Sequence, residues 1–533
     1  MPSQVHPSPV PSQWLRSYLL LTAGLCGAIV MVVEVLGSRV IGPFFGVSLF
    51  VWTSLITVTL VALALGYAFG GRLADRTESP ALLYAIVLAA GLCVLAVPLL
   101  QAVVLKACVG LGLRLGSLLA SAVLFGPALF LLGCVSPLLV RLLANEMKSL
   151  GRTVGGLYAL STAGSFVGTV ATGFFLIGVL GVSRIFLLSG ALLCALAATY
   201  FFAFRRQRLL GLVAMLLPLG LFLIPSDALP SKILVDGTRA TVIEKRDSFY
   251  GNLRVVDYQA GERHTRELAI DGLIQGGGDV ATGLSVYEYP YPMQFLPVAL
   301  HPDGRSSLVI GLGAGFIARW YAARGIETEV VDIDPAVVDL ARKHFNFPAT
   351  IPVHIEDARH FLAQSKKSFD YIVLDVFNGD TTPGHLLSVE AMRLLAQRLK
   401  PQGVLAINLI GSLRRENFMT ASVIHTLQTV FDQVQIIPLI RDVAQQQSGN
   451  LVVLAYRGAQ RSSNSAAYAQ EPVHPMARDL VTHALQKRFS FPVDTPAMLL
   501  TDDFNPIDLR DLWMKEEVRS NILETTDLDI LLG

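Results

Sequence analysis

Charge is scarce in this sequence. Asp, Glu, Lys and Arg make up 16% of its 533 residues, against roughly 25% in an ordinary soluble domain, and they sum to a net charge of +1. With no basic excess the chain has no electrostatic footprint for nucleic acid, and that class of partner is set aside. Cysteine is confined to five positions, Cys26, Cys93, Cys108, Cys134 and Cys194. None has metal-ligand spacing, so they read as small buried hydrophobes and no metal site is expected. The chain beyond residue 194 is free of cysteine, which fits a reducing compartment. The stretch Met1–Gln13 is rich in Pro and Ser but lacks the basic segment and small-residue cleavage site of a secretory signal. Residues 1–16 are therefore expected to be a disordered tail, and the first apolar segment a retained helix.

Long apolar runs are what the sequence has instead. About 20 apolar residues span a bilayer as a helix, and from Leu19 to Pro225 the chain is mostly Leu, Ala, Val, Gly and Phe. Spans are expected at 17–37, 48–70, 81–105, 115–140, 154–180, 183–204 and 209–225, a transmembrane helical domain over 17–225 with the lipid bilayer as partner. The last is short and contains Pro218, which removes a backbone hydrogen bond, and it is expected not to cross fully. Glu34 lies deep in the first span, five residues before Arg39. An ionisable residue there is costly and reads either as half of a structural Glu–Arg pair or as a functional group. Gly66 with Gly70, and Gly164 with Gly168, form faces of small residues that let helices approach closely. Arg72 and Arg76, then Arg141, Lys148 and Arg152, then Arg205, Arg206 and Arg208 weight alternate loops and place the N-terminus in the cytoplasm. With an even number of crossings the C-terminal half faces the cytoplasm as well, at the inner cell membrane.

From Ser226 onward charges recur every few residues. Strands at Thr241–Glu244, Leu253–Tyr258 and Glu267–Ile270, with turns at Gly251-Asn252 and Gly261-Glu262, indicate a small β-domain over 233–292. Strand and helix then alternate. Ser307–Ile310 leads into Gly311-Leu312-Gly313-Ala314-Gly315 and a helix; Thr328–Asp332 leads into Pro335–Phe345; Val353–Ile355 into Ala358–Gln364; Tyr371–Leu374 runs to Asp375; and Val389–Lys400 precedes Gly403–Leu409. That pattern is a Rossmann-like, doubly wound parallel sheet over 304–456. A C-terminal linker and helical extension fills 457–533.

The layout carries chemistry. Glycines at the first strand-to-helix turn let backbone approach a ligand closely. Asp332, ending the second strand, can accept hydrogen bonds from both ribose hydroxyls. Asp357 follows the third strand, where a carboxylate can accept from an adenine amine. Asp375 ends the fourth strand and faces the same crevice. Asp334 reads as a helix N-cap before Pro335. No Lys or Arg lines the turn, so an adenosyl ligand of the S-adenosylmethionine type fits better than a phosphate. The plainer alternative makes all these acids ordinary helix caps.

These same residues resemble the spermidine synthases. Asp271-Gly272-Leu273-Ile274-Gln275 is similar to their Leu-Asp-Gly-x-x-Gln segment, Gly311–Gly315 to their glycine turn, Val331–Pro335 to Val-Glu-Ile-Asp-Pro, Glu356-Asp357-Ala358 to the adenine site, and Leu374–Pro383 to the segment holding the catalytic Asp. Glu34 through Arg76, with Gly37-Ser38-Arg39 and Trp52, resembles the membrane region of the fused facilitator/spermidine synthase family, and Gly70–Arg76 a loop of major facilitator transporters. The resemblance implies Asp375 as proton acceptor, with Asp380 beside it in catalysis and amine binding. It implies Gly311, Gly313, Gly315, Asp332, Asp357, Ala358 and Pro383 on the adenosyl co-substrate, and Gln275 and Tyr289 on the amine. Three positions depart from the pattern. The Gln after Ser-x-Tyr is Gly251, the His of Tyr-His-Glu is Pro290, and the Asp of the glycine turn is Ala314. Asp279, Glu288, Asp380, Asp502 and Asp503 are substitutes within the sequence, and His385 is a further candidate.

The leading expectation is a membrane-bound aminopropyltransferase. It would move the aminopropyl group of decarboxylated S-adenosylmethionine, the co-substrate, onto putrescine or a related amine and release methylthioadenosine, with no permanently bound cofactor. A methyltransferase using S-adenosylmethionine, and a transporter or sensor that binds adenosyl or polyamine ligands without turnover, stay open beside it. A homodimer also stays open.

Overall fold

The computed structural model describes residues 13–46, 49–144, 150–204, 212, 215–216, 220, 229–377, 382–414, 416–440, 448–462, 468, 471–510 and 512–531. The chain forms two units, 1–228 and 229–533.

In the first unit, apolar helices associate through close backbone contact at small residues. The helices are α1 (Gln13–Phe45), α2 (Leu49–Arg76), α3 (Pro80–Val109), α4 (Gly112–Leu124), α5 (Gly126–Leu143), α6 (Leu150–Ala171), α7 (Ile177–Leu180) and α8 (Val182–Ala203). A π-helical turn over Thr172–Leu176 joins α6 to α7. Three pairs meet through small residues. Between α1 and α6, a Cβ built at Gly164 would lie 2.0 Å from the Gly24 carbonyl oxygen and one at Gly168 2.4 Å from that of Ala28. There the Ser165 hydroxyl also donates to the Gly27 carbonyl at 3.0 Å. Between α2 and α5, a Cβ at Gly66 would lie 2.3 Å from the Phe130 carbonyl oxygen and one at Gly70 2.6 Å from Cys134 Cα. Between α3 and α8, Gly91 and Gly190 face each other in the same way. Both small-residue faces read from the sequence are therefore packing faces. Glu34 sits half-buried on α1.

Among the described residues six helices are long and apolar enough to cross a membrane. The expected span 115–140 is not one helix. It breaks at Phe125 into the 13-residue α4 and the 18-residue α5, with Pro127 seated in the first turn of the second, where a missing N–H costs nothing. The expected tail over 1–16 is helical from Gln13, and residues 1–12 lie outside the described residues. The seventh segment, 209–225, lies outside them too, save for positions 212, 215, 216 and 220.

The second unit is built from two sheets. Strands β1 (Ser231–Ile233), β2 (Arg239–Asp247), β3 (Asn252–Ala260), β4 (Arg263–Ile270) and β5 (Leu273–Asp279) pair in sequential order, all antiparallel. Where strands were expected to continue to 292, the chain instead turns helical over Pro290–Leu300, with Pro290 at the first helical position. The second sheet comprises β6 (Ser306–Ile310), β7 (Glu327–Asp332), β8 (Val353–Ile355), β9 (Phe369–Leu374), β10 (Leu399–Ser412), β11 (Gln433–Pro438) and β12 (Ser448–Tyr456), in the order β11-β12-β10-β9-β6-β7-β8. Strands β8, β7, β6, β9 and β10 are parallel, and β12 runs antiparallel to β10 and to β11. The sheet is thus mixed rather than wholly parallel. Its order is that of the S-adenosylmethionine-methyltransferase type.

Successive strand residues point to opposite faces, and the two cores follow that alternation. Val309, Tyr371, Val373, Val404 and Ala406 face Leu253, Val255 and Leu268 of the small sheet and the helix Pro290–Leu300. Leu308, Ile310, Ile372, Leu374, Leu405 and Ile407 face the helices Ala358–Gln364, Val389–Arg398 and Phe418–Gln428. The small sheet therefore shares a core with the large one.

Candidate active site

The turn after β6 shapes the site. Gly311, Gly313 and Gly315 adopt φ of 88°, 51° and 80°, a left-handed region that residues with a Cβ avoid. Space is short as well as conformation. A Cβ at Gly311 would lie 2.0 Å from the Asp375 carbonyl oxygen, and one at Gly313 2.5 Å from that of Gln275. The glycines let the end of β9 and the start of β5 close on the same turn, and so bring Asp375 and Gln275 together.

A cavity of about 320 Å³ opens at that point, lined among others by Gln275, Tyr289, Gly313, Asp375, Asn408 and Asn450. Among the described residues Asp375 is its single lining carboxylate. Burial pushes its carboxyl up to about 6, against the opposing pull of a hydrogen bond from the Asn408 amide at 2.9 Å. The Tyr289 hydroxyl donates to the Gln275 carbonyl at 3.3 Å. Burial, and then the nearby Asp375 charge, hold that phenol well above its ordinary range. Four of the residues expected in the site, Gln275, Tyr289, Gly313 and Asp375, thus share one cavity. Asp380 lies outside the described residues.

The other expected residues lie along the carboxyl edge of β7 and β8. Asp332 accepts from the Leu312 N–H through one oxygen and from the Asp334 N–H through the other, both at 2.8 Å. Each oxygen keeps a lone pair for a ligand. Burial raises this carboxyl to about 6, the two backbone donors oppose the shift, and the Asp334 charge adds to it. Asp334 caps the helix Pro335–His344, accepting from Ala336 N–H at 2.9 Å, and also accepts from the Ser248 hydroxyl at 2.6 Å. Asp357 caps the helix Ala358–Gln364 through one oxygen, which accepts from Arg359 and His360 N–H. Its other oxygen lies 3.5 Å from His385 Nε2. His385 therefore stands on the Asp357 side of the crevice. Ala358 is buried at that helix start, and Pro383 precedes a single 3₁₀ turn, Gly384–Leu386.

The departures have physical causes. A side chain at Gly251 would run into Ile270 Cγ2 at 2.5 Å and the Asp271 carboxylate at 2.9 Å, so a Gln has no room there. The Ala314 methyl packs against Gly276, 3.0 Å from where a Cβ on that residue would stand. Of the acidic substitutes, Asp279 accepts from Thr282 N–H and hydroxyl, Asp502 pairs with Arg359, and Asp503 is exposed. Glu288 lines a second cavity, of about 270 Å³, next to the first.

Three contributions were not foreseen. Asn408 and Asn450 form a chain behind Asp375, Asn450 donating to Asn408 at 3.2 Å; a central-strand Asn among apolar residues was the available signal. Tyr250 sits within electrostatic reach of Asp334, Asp332 and Asp357, whose charges add to burial in raising its hydroxyl. The third is the C-terminal helix Leu512–Thr525, which places Val518, Asn521 and Ile522 in the cavity wall. That helix is pinned to the motif segment: Arg519, 0% exposed, donates to the Asp271 carbonyl at 2.8 Å. Beyond it Arg254 donates to the Ile530 carbonyl at 2.9 Å, and Lys232 pairs with Asp527 and Asp529.

Residues 273–446 match the family described as the spermine/spermidine synthase domain. The chain is 39% identical over 133 residues to the N-terminal histidine N-methyltransferase of Emericella nidulans, an overlap of 24% of this chain and 24% of that protein. It is 28% identical over 233 residues to the polyamine aminopropyltransferase of Vibrio vulnificus, covering 42% of this chain and 75% of that one. To the polyamine aminopropyltransferase of Mycobacterium tuberculosis it is 31% identical over 320 residues, 55% of this chain and 59% of that one. The chain thus spans about a quarter of the fungal relative and less than two thirds of the mycobacterial one. The family match lies wholly within the second unit.

Proposed function

We propose that the protein is a membrane-bound aminopropyltransferase acting on decarboxylated S-adenosylmethionine and a polyamine acceptor such as putrescine. The observation that carries this reading is Asp375, a carboxylate raised to about 6 at the edge of a cavity shared with Gln275 and Tyr289. A primary amine with a pKa near 10.4 is mostly protonated at neutral pH and cannot attack. Asp375, ionised at that pH yet more basic than an ordinary Asp, accepts its proton. The freed lone pair forms a bond to the aminopropyl carbon next to the sulfonium. The carbon–sulfur bond breaks with its electrons on sulfur, and methylthioadenosine leaves. Asp332 and Asp357 hold the adenosine, the first through ribose hydroxyls and the second through the adenine amine.

The purified full-length protein, given decarboxylated S-adenosylmethionine and putrescine, should yield spermidine and methylthioadenosine in equal amounts by mass spectrometry. Failure with putrescine and with longer polyamines would remove the reading. A second reading, methyl transfer from S-adenosylmethionine, is favoured by Ala314, which supplies no carboxylate for the donor's amine, and by the likeness to the fungal methyltransferase. S-adenosylhomocysteine formed in the same assay with the undecarboxylated donor would decide for it.

The six apolar helices support an inner-membrane location, and the loop charges support a cytoplasmic transferase unit. The donor is a charged nucleoside that does not cross a bilayer unaided. A reporter active only outside the cytoplasm, fused after residue 533, should stay inactive; activity there would place the unit away from its donor.

A further inference from the structure

We propose that Glu288 holds the distal ammonium of the amine acceptor, so that the cavity it lines is the cation-recognition end of the acceptor site and the acceptor is a diamine or longer polyamine rather than a monoamine. The inference rests on the aminopropyl-transfer reading for its reaction, and on geometry for its residue.

The two cavities share Ile274, Tyr289, Gly449 and Asn450 in their walls. Among the described residues each carries one lining carboxylate, Asp375 in the first and Glu288 in the second. A chain with two charged ends can therefore offer the reacting amine to Asp375 and the other ammonium to Glu288. The surroundings of Glu288 suit that role. Its carboxylate is half-buried and makes no hydrogen bond or ion pair among the described residues. A carboxylate that faces a cavity without a counter-charge is open to a cation.

The neighbouring acid does not compete. The Glu267 carboxylate is engaged by the Tyr287 hydroxyl at 2.5 Å, and burial raises it above the usual carboxylate range. Tyr287 and Tyr289 line the same cavity, and tyrosine ring faces attract an ammonium. Of the motif positions that depart in this chain, Gly251 has no room for a side chain and Pro290 begins a helix, so neither offers a polar group to the acceptor. Glu288 belongs to none of the motif positions, yet it is the acidic substitute whose cavity adjoins Asp375.

The test is calorimetric titration of putrescine, and separately propylamine, into full-length protein saturated with methylthioadenosine. Glu288→Gln should weaken putrescine binding about tenfold or more, leave propylamine affinity as in the wild type, and leave methylthioadenosine affinity unchanged. Should the Gln variant lose methylthioadenosine binding and so report misfolding, Glu288→Ala takes its place. Equal putrescine affinity in variant and wild type overturns the proposal. So does an equal loss for propylamine, or a wild type that binds no putrescine. The transfer reading is judged separately, by spermidine formed by the wild type. Glu288-dependent putrescine binding without that product keeps the site and discards the reaction.

Discussion

Asn408 donates its amide to Asp375 Oδ1 at 2.9 Å and itself accepts from Asn450 at 3.2 Å. The two asparagines lie on the antiparallel pair β10 and β12, where Ile410 is directly opposite Asn450. This donor favours the charged form of Asp375 against burial, which favours the neutral form. Asn408→Leu removes the donor, so the carboxyl should rise above its value of about 6. The acidic limb of the kcat/KM profile should move up by on the order of one pH unit, with activity reduced at pH 7 and recovered at pH 9. An unmoved limb would assign the limb to another group.

Asp375→Asn tests the proton acceptor and has a stability signature. Transfer should fall by about 10²-fold or more while methylthioadenosine affinity stays within about threefold, since no adenosine contact is removed. The folded-state pKa of about 6 lies above the unfolded value of about 3.9. The native state therefore holds this proton more tightly, and the stability it lends is full below about pH 4 and lost as pH rises through about 6. The Asn variant never suffers that loss. Its melting temperature should exceed the wild type's at pH 8, and the gap should close at pH 4.

Asp332 offers a second pH signature, read on binding. Its carboxylate already accepts two backbone N–H groups, and two ribose hydroxyls would take its remaining lone pairs. Asp332→Asn places an amine against one of those donors and should weaken methylthioadenosine about 10- to 100-fold by calorimetry. In the wild type the affinity should fall as pH drops below about 6, where the carboxyl protonates.

The packing of the apolar helices can be tested through their glycines. Gly66→Val and Gly164→Val drive a side chain into the Phe130 and Gly24 carbonyls and should lower the melting temperature in detergent by several degrees, each costing roughly 1–3 kcal/mol. Gly71→Ala, with nothing within 4 Å of the added carbon, should leave it within about a degree.

The parallel strands were legible because buried β-branched runs between glycine turns have few other solutions. The strand read at Val353–Ile355 is β8, and those read at Ser307–Ile310 and Thr328–Asp332 fall one residue short of β6 and β7. Strand β5 was missed because Gly276, Gly277 and Gly278 are poor strand formers. They pair there because Gly276 meets Ala314 and Gly278 meets the Phe316 ring, contacts that no local pattern encodes. The acids along the strand ends were legible from register alone. Asn408, Tyr250 and the helix Leu512–Thr525 were not, because what makes each part of the site is a partner far along the chain. Acidic residues also look alike in sequence: Asp502 and Glu288 were equal candidates until one was found paired with Arg359 and the other facing a cavity.

The helix that walls the cavity has a consequence for biosynthesis. Arg519 reaches the Asp271 carbonyl across 248 positions of sequence, and Val518, Asn521 and Ile522 line the same cavity as Asp375. A ribosome makes the glycine turn, Asp332 and Asp375 well before it makes these residues. During that interval the nascent chain lacks the wall that Val518, Asn521 and Ile522 give the cavity, so Asp375 is less buried than in the finished fold. A chain that stalls or is clipped before residue 512 would keep the glycine turn, Asp332 and Asp375 and lack that wall.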